Sequence, residues 1–402
     1  MSFVNILGGI LGYAYQAIIG RLLLPIEYGQ LTAIVSLGVF FGSPVAALIM
    51  MTARGVSEGA SAGKKEKLRI DYLKILIRVM FSSLIIGILF LATLEHLQNY
   101  LNLPYASPLY LFFLYLIFWL LSSINFAYFQ GLQNFKWLAI FEVSGITLKI
   151  IFAVIFVYLG LGVNGAILGM GIAAMIIFVN GLTILKKKLD SKNTTRIIEG
   201  AELKKNNPVM VVLATIGFSA LTQLDVVYAN MYFNPTLVGH YAAISVLGKA
   251  VFYLPGGIAM ALFPQVVSNE VKGESSAPFF LKAMILSTAM CLLGATVYAL
   301  YGDWILQIFY GSSYIEAGPL LGYYGFAVIP ISLIMLGEQF LIAKGRTLFT
   351  WIFLIVAPLQ FLAIQQWHSE IWMLILILGV SGLLIFLVGY GILIYEILFK
   401  KN

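Results

Sequence analysis

The chain has 402 residues, of which 61% are hydrophobic and only 10% are charged, and its formal net charge is +7. Soluble domains carry about 25% charged residues, so this composition excludes a soluble globular fold and predicts apolar surface that faces lipid. A single cysteine, Cys291, excludes an intrachain disulfide and a cysteine metal site. We interpret the positive charge as a topology signal, which argues against a nucleic-acid partner.

Apolar runs long enough to cross a membrane recur along the whole chain. A helix needs about 20 apolar residues to cross about 30 Å of hydrocarbon, and continuous runs of that length exclude the shorter alternating strands of a membrane barrel. We predict twelve spans, at residues 3–20, 30–52, 74–95, 108–130, 137–159, 164–185, 208–230, 241–264, 279–301, 319–343, 347–366 and 371–396. The fold class is therefore expected to be an all-α integral membrane protein. The first run starts almost at Met1 without a signal-peptide pattern, so we expect the first helix to be its own anchor, with a longer natural start left open.

The lysines and arginines orient these spans. With both termini cytoplasmic, all 24 fall on the cytoplasmic side except Arg21 at the outer edge and three residues within spans, Arg78, Lys149 and Lys249. This is the asymmetry that the positive-inside rule describes. The three histidines fall in outer loops and offer no metal-ligand spacing. The basic loop at 186–207 is interpreted as a cytoplasmic linker, with a regulatory or anionic-lipid contact as the alternative.

An internal repeat relates the two halves of the chain. Residues 27–38, EYGQLTAIVSLG, align with residues 237–248, LVGHYAAISVLG, at an offset of 210. Both segments belong to even-numbered spans, so both cross the membrane in the same direction. The repeat predicts two pseudo-symmetric six-helix lobes, at 1–185 and 208–402, which is a transporter layout.

The same segments resemble a known family. GRLLLPIEYGQLTAIVSL (20–37), residues 233–270, YLGLGVNGAILG (158–169) and IFYGSSYIEAGPLL (308–321) resemble segments of the polysaccharide-type flippases. These belong to the multidrug/oligosaccharidyl-lipid/polysaccharide (MOP) exporter superfamily, which has a MATE-like fold, and the nearest branch is similar to Wzx-type O-antigen and capsule flippases.

The resemblance implies a flippase and not an enzyme. It would move a polyprenyl-pyrophosphate-linked oligosaccharide from the cytoplasmic to the outer leaflet of a prokaryotic inner membrane by alternating access between two lobes. It implies no cofactor, with coupling to an H⁺ or Na⁺ gradient left open. The implied partners are the lipid-linked oligosaccharide and membrane lipids, with a polysaccharide polymerase or glycosyltransferases left open, and the implied functional unit is a monomer. Two alternatives remain: a cation-coupled multidrug exporter of the same superfamily, and a membrane-embedded glycosyltransferase or polymerase.

Charged residues inside the spans are the candidate site residues, because a pyrophosphate head group needs cations in a hydrated cavity. Lys149 lies about 12 residues into the fifth span, roughly 18 Å deep. Such a charge faces either a cavity or an acidic partner, so we expect a phosphate contact or an ion pair. Glu142 lies on the same helical face and is a candidate ion or gating residue.

The second candidate pair is Asp225 and Lys249. The loop between the seventh and eighth spans is short, so these helices are expected to be antiparallel neighbours, and the two side chains are expected to form an inter-helix ion pair. This pair is either static or breaks when a substrate or coupling cation arrives, which makes Lys249 a candidate substrate ligand and Asp225 a candidate gate.

Four further residues complete the candidate set. Arg21 at the outer mouth is either an interface anchor or a cavity cation, and Tyr13 and Gln16 in the first span either line a cavity or hold helices together. Glu338, near the inner end of the tenth span, is a candidate gate or proton site, with a salt bridge to Lys344 or Arg346 as the alternative.

Overall fold

The computed structural model describes residues 2–62, 65–190, 208–258, 266, 277–343 and 348–399, and within these ranges the regular structure is helical. The helices, in chain order, are α1 (Ser2–Leu22), α2 (Pro25–Ser61), α3 (Lys65–Tyr100), α4 (Ser107–Gly131), α5 (Phe135–Phe156), α6 (Gly162–Asp190), α7 (Pro208–Gln223), α8 (Asp225–Tyr232), α9 (Pro235–Tyr253), α10 (Ala277–Tyr310), α11 (Gly318–Ala327), α12 (Ile329–Ala343), α13 (Leu348–Gln366) and α14 (Ile371–Phe399). A π-helical turn, Val157–Leu161, joins α5 to α6.

The protein is a multi-pass membrane protein, as its composition predicts. Among the described residues, eight helical stretches are long and apolar enough to cross a membrane, and two bent helix pairs bring the number to ten. Each of the twelve predicted spans falls wholly or partly on a helix. The all-α class is therefore confirmed.

Three of the predicted spans differ from the observed helices. The seventh span is not one continuous helix, because it breaks at Leu224 and bends by 45° between α7 and α8. The second and third spans are longer than their apolar cores, since α2 continues to Ser61 and α3 begins at Lys65. Hydropathy marks the length that lies in lipid, and a helix can continue into water beyond it.

The chain divides into two compact units. The first comprises Met1–Gly38 and Gly42–Leu203, and the second comprises Val39–Phe41 and Lys204–Asn402. The first unit has a buried cluster around Tyr72, Tyr128 and Phe129, and the second has one around Phe340 and Phe353. α6 continues to Asp190, into the predicted linker at 186–207. Residues 191–207 lie outside the described ranges.

The sequence repeat has a counterpart in the backbone. Leu24 (φ −66°, ψ 153°) and Asn234 (φ −65°, ψ 150°) adopt the same extended conformation, and each precedes a proline that begins a helix. A proline disfavours the helical conformation in the residue before it and is well suited to the first helical position. Because Pro25 and Pro235 are 210 residues apart, the turn from first to second helix is the same in both halves.

Close helix packing is also repeated. A Cβ atom at Gly38 on α2 would collide with the ring of Phe112 on α4, and a Cβ atom at Gly248 on α9 would collide with the ring of Tyr324 on α11. Both glycines belong to the aligned segments, at the same offset. In each half, a missing side chain therefore lets an aromatic ring of a later helix lie against the backbone.

Glu27, in the first turn of α2, caps this helix and lies close to Gly162. The backbone N–H of Leu24 donates to Glu27 Oε2 at 3.1 Å, at the start of α2. Gly162 has a φ of +49°, and a Cβ atom there would lie 2.6 Å from Glu27 Oε1. A residue with a side chain would be strained at this φ and would displace the carboxylate, so glycine is required there.

Candidate functional site

Lys149 and Tyr15 form the centre of the candidate site in the first unit. The Lys149 ammonium lies 3.7 Å from the centroid of the Tyr15 ring. Tyr15 is 2% exposed, and its hydroxyl makes no hydrogen bond within the described ranges. In the described part of the chain the ammonium has no carboxylate partner, so the predicted ion pair is not seen there, and a cation–π contact holds it instead. The predicted phosphate contact stays a prediction.

The packing of α1 against α5 produces this contact. Gly8 lies close to Glu142, whose Oε1 would be 3.0 Å from a Cβ atom at Gly8, while Tyr15 contacts Lys149. Both contacts join positions seven residues apart on each helix, so α1 and α5 run parallel. This parallel direction agrees with the prediction that α1 and α5 are the first and fifth spans, because odd-numbered spans cross the membrane in the same direction. Glu142 is half-buried and faces the beginning of α1.

The other candidate residues of α1 are Tyr13, Gln16 and Arg21. Gln16 Oε1 accepts a hydrogen bond of 3.1 Å from the hydroxyl of Tyr28 on α2. Tyr13 is half-buried, and Arg21 is exposed in the last turn of α1. The Gln16 contact joins two helices, which is the helix-packing alternative for this residue, while roles of Tyr13 and Arg21 in a site stay predictions.

The predicted pair of Asp225 and Lys249 is present in the second unit. Lys249 Nζ lies 3.1 Å from Asp225 Oδ1, and the two side chains are 13% and 2% exposed. The hydroxyls of Ser245 and Tyr324 donate to Asp225 Oδ2 at 2.7 and 2.8 Å. The Asp225 carboxylate therefore accepts at least three hydrogen bonds, one of them from a cation, as a buried carboxylate requires.

The local backbone places these groups together. The break at Leu224 makes Asp225 the first residue of α8, where unpaired backbone N–H groups favour a negative side chain. Ser245 and Lys249 are four residues apart on α9 and lie on one helical face. The short loop of Phe233 and Asn234 folds α9 back against α8, as the sequence predicts for antiparallel neighbours.

Glu338 is half-buried on α12 and makes no ion pair with another described residue. The predicted alternative partners, Lys344 and Arg346, lie outside the described ranges. No group of three or more His, Cys, Asp or Glu side chains comes together within the described ranges.

The comparisons with known proteins name the family. The sequence profile described as "Polysaccharide biosynthesis protein" matches residues 1–270, about two thirds of the chain. The chain belongs to this family. No curated protein matches its sequence.

Solved structures show which fold this family member has. It is similar to an inward-facing multidrug resistance MATE transporter of the MOP superfamily, with 13% identity, a TM-score of 0.77 and coverage of 98% of this chain and 96% of that one. The lipid II flippase MurJ, in an inward closed conformation, has 11% identity, a TM-score of 0.66 and coverage of 97% and 87%. The MATE transporter DinF-BH has 16% identity, a TM-score of 0.67 and coverage of 100% and 96%. The MATE-like fold expected from the resemblance is confirmed.

Sequence reasoning does not predict the contacts that three site residues of this member of the polysaccharide biosynthesis protein family make. Tyr15 is an aromatic residue in an apolar helix, and its contact with a lysine 134 positions later has no local signal. Ser245 is part of the aligned repeat segment, but nothing in the repeat predicts a hydrogen bond to Asp225. Tyr324 is 99 residues from Asp225, so only the tertiary fold could have revealed it.

Proposed function

We propose that this protein is a flippase that moves a polyprenyl-pyrophosphate-linked oligosaccharide from the cytoplasmic to the outer leaflet of a prokaryotic inner membrane. Alternating access would expose the head group to each side in turn while the lipid tail stays in the bilayer. No covalent bond changes, so the protein is not an enzyme. Family membership supports a role in polysaccharide biosynthesis.

The observation that carries the proposal is the ammonium of Lys149. It lies over the Tyr15 ring, and that ring has no net charge to neutralise it. A lysine within a membrane span is costly and usually functional. A cation–π contact stabilises the position of the ammonium by about 0.5–2 kcal/mol and leaves its charge available to an anion. An anion that reached Lys149 would gain a charge-assisted hydrogen bond of about 1.5–3 kcal/mol, which suits a pyrophosphate.

The Asp225 cluster does not itself support the multidrug alternative. A cation-coupled exporter needs a carboxylate that can take up a cation, but the Asp225 carboxylate already has the ammonium of Lys249 as its counter-ion. Lys249 can bind a substrate only if this pair opens. The Lys149 ammonium of the first unit, which has no ion-pair partner among the described residues, supports an anionic substrate.

A transport assay in proteoliposomes tests the proposal. The probe is a defined lipid-pyrophosphate-linked oligosaccharide, whose appearance in the other leaflet is followed by its accessibility to a glycosidase added on that side. Lys149→Ala should abolish transport, and Lys149→Arg should retain part of it, because Arg keeps the charge and the stacking on Tyr15.

The matched control is Lys136→Ala, which removes an exposed cation from the same helix, α5. It should leave the transport rate unchanged. Wild-type transport by correctly folded Lys149→Ala would remove Lys149 from the site, and failure of the wild-type protein to move the probe, combined with efflux of a cationic dye, would replace the proposal by the multidrug function.

A further inference from the structure

A charged cavity lies in the first unit, and Lys149 is not among its lining residues. It has a volume of about 680 Å³ and lies between α2 and α3, with Tyr128 of α4 at its back. Three of its lining residues are cationic, namely Lys67, Lys74 and Arg78. None of the three forms an ion pair with a described residue, so the cavity contains cations that the fold itself does not use.

The cations share one face of α3. Lys67, Lys74 and Arg78 are spaced by seven and four residues, which brings them onto the same side of a helix. Lys74 and Arg78, at positions i and i+4, have Cβ atoms about 5–6 Å apart, so both side chains can reach one phosphate group. Asp71 is the acid on this face, while Glu58, on the opposite wall, is already bound by Arg54 at 2.9 Å. The balance in the cavity is positive.

The cavity has open space beside Gly55 on its α2 wall, where no side chain projects. A Cβ atom at Gly55 would meet nothing within 4 Å. The α3 wall is fixed from behind, since the hydroxyl of Tyr128 donates to the backbone oxygen of Leu68 at 3.2 Å and the Tyr128 ring contacts that of Tyr72 edge to face. The space is therefore part of a packed helix arrangement.

The cavity crosses the boundary of the predicted apolar spans. The second span is predicted to end at residue 52 and the third to begin at residue 74, on the side predicted to be cytoplasmic. Leu48 and Met51 line the membrane end of the cavity and are 38% and 52% exposed. Lys67 and Asp71 line the other end, on the part of α3 that precedes the apolar span. The lining therefore changes from apolar, through Lys74 and Arg78, to polar.

We propose that this cavity binds an anionic phospholipid, with its phosphate between Lys74 and Arg78 and its acyl chains against Leu48 and Met51. The order of the lining matches the order of tail, phosphate and head group in such a lipid. Phospholipids of the cytoplasmic leaflet carry this charge at this depth, and basic clusters next to a membrane span attract them. The assignment does not depend on the proposed transport function.

Lipid retention tests the assignment. The purified protein is reconstituted with phosphatidylcholine and phosphatidylglycerol and is then extracted again from these lipids. Native mass spectrometry counts the lipids that each protein molecule retains. Lys74→Ala/Arg78→Ala should retain phosphatidylglycerol about tenfold less than the wild type, equivalent to ~1.4 kcal/mol. Lys74→Arg/Arg78→Lys should retain it, because the charges remain. Lys136→Ala, which removes an exposed cation outside the cavity, should behave as wild type.

A second variant tests whether lipid binding needs the space in the cavity as well as its positive charge. Gly55→Leu leaves all cations in place and fills the cavity, and it should reduce phosphatidylglycerol retention without changing the elution profile of the protein. Equal retention by the wild type, the double alanine variant and Gly55→Leu would overturn the proposal. So would displacement of phosphatidylglycerol by an equal concentration of farnesyl diphosphate, which would assign the cavity to a prenyl pyrophosphate.

Discussion

The buried pair of Asp225 and Lys249 allows a prediction with a calculable size. Replacing Asp225 by Asn keeps the shape and the hydrogen bonds to the hydroxyls of Ser245 and Tyr324 but removes the anion beside the ammonium. Replacing Lys249 by Met removes the cation and leaves a carboxylate that is 2% exposed. The double variant removes both charges, so neither remaining group is an unpaired buried ion.

The magnitude follows from this burial. Removing one partner of a buried ion pair costs about 3–5 kcal/mol, because the other charge stays desolvated. The Lys249 side chain is 13% exposed and can be partly hydrated, so Asp225→Asn should lie near 3 kcal/mol and Lys249→Met should be at least as costly. We expect the double variant to cost less than the sum of the singles, with a coupling of about 2–3 kcal/mol.

The free energy of unfolding of purified protein in mixed micelles measures this coupling. The control is the pair Arg54 and Glu58 on α2, which has a similar distance of 2.9 Å but side chains that are 51% and 66% exposed. Its coupling should be only about 0.3–0.5 kcal/mol. A coupling for Asp225 and Lys249 no larger than that of the control would refute the reasoning. If the pair matters for transport, the charge-swapped variant should also transport better than either single swap.

Two further predictions concern packing around the same centres. Tyr15→Phe should keep the transport rate within about twofold, because the ring stays beneath Lys149 and the lost hydroxyl has no hydrogen bond in the described ranges. Tyr15→Leu should lower the rate, because it removes the cation–π contact, which contributes up to ~2 kcal/mol. Equal rates for the two variants would contradict the role of the ring. Gly248→Ala should lower the thermal unfolding temperature, because its Cβ would displace Tyr324. The control Gly12→Ala, where a Cβ meets nothing within 4 Å, should leave this temperature unchanged or raise it. A rise for both variants would exclude the predicted clash.

The sequence is most informative where one physical rule dominates. Membrane thickness sets the length of apolar runs, so each of the twelve predicted spans falls wholly or partly on a helix among the described residues. A two-residue loop forces α9 back along α8, and a buried acid needs a counter-charge, so the pair of Asp225 and Lys249 could be predicted. The repeat could be predicted as well, and the matching turns before Pro25 and Pro235 give it a backbone basis.

The remaining features depend on contacts that are distant in sequence. The break at Leu224 carries no proline or glycine, so helix propensity alone predicts a continuous span. Lys149 could be recognised as a costly charge, but the choice between an acid and a ring as its neighbour depends on how α1 packs against α5. The cavity beside Lys74 arises because α2 and α3 continue as helices beyond their apolar runs, where hydropathy no longer gives a signal.

The partners of the two lysine contacts occupy related places in the two halves. Tyr15 and Asp225 are separated by the same 210 residues that relate the repeat segments, and each holds a lysine ammonium, Lys149 or Lys249. Their chemistry differs, because a ring positions the charge without neutralising it, whereas a carboxylate does both. Under the proposed function, Lys149 can therefore bind an anionic head group without first breaking an ion pair with a described residue. Lys249 becomes available only after it separates from Asp225, so the second site suits a gate better than a permanent phosphate ligand.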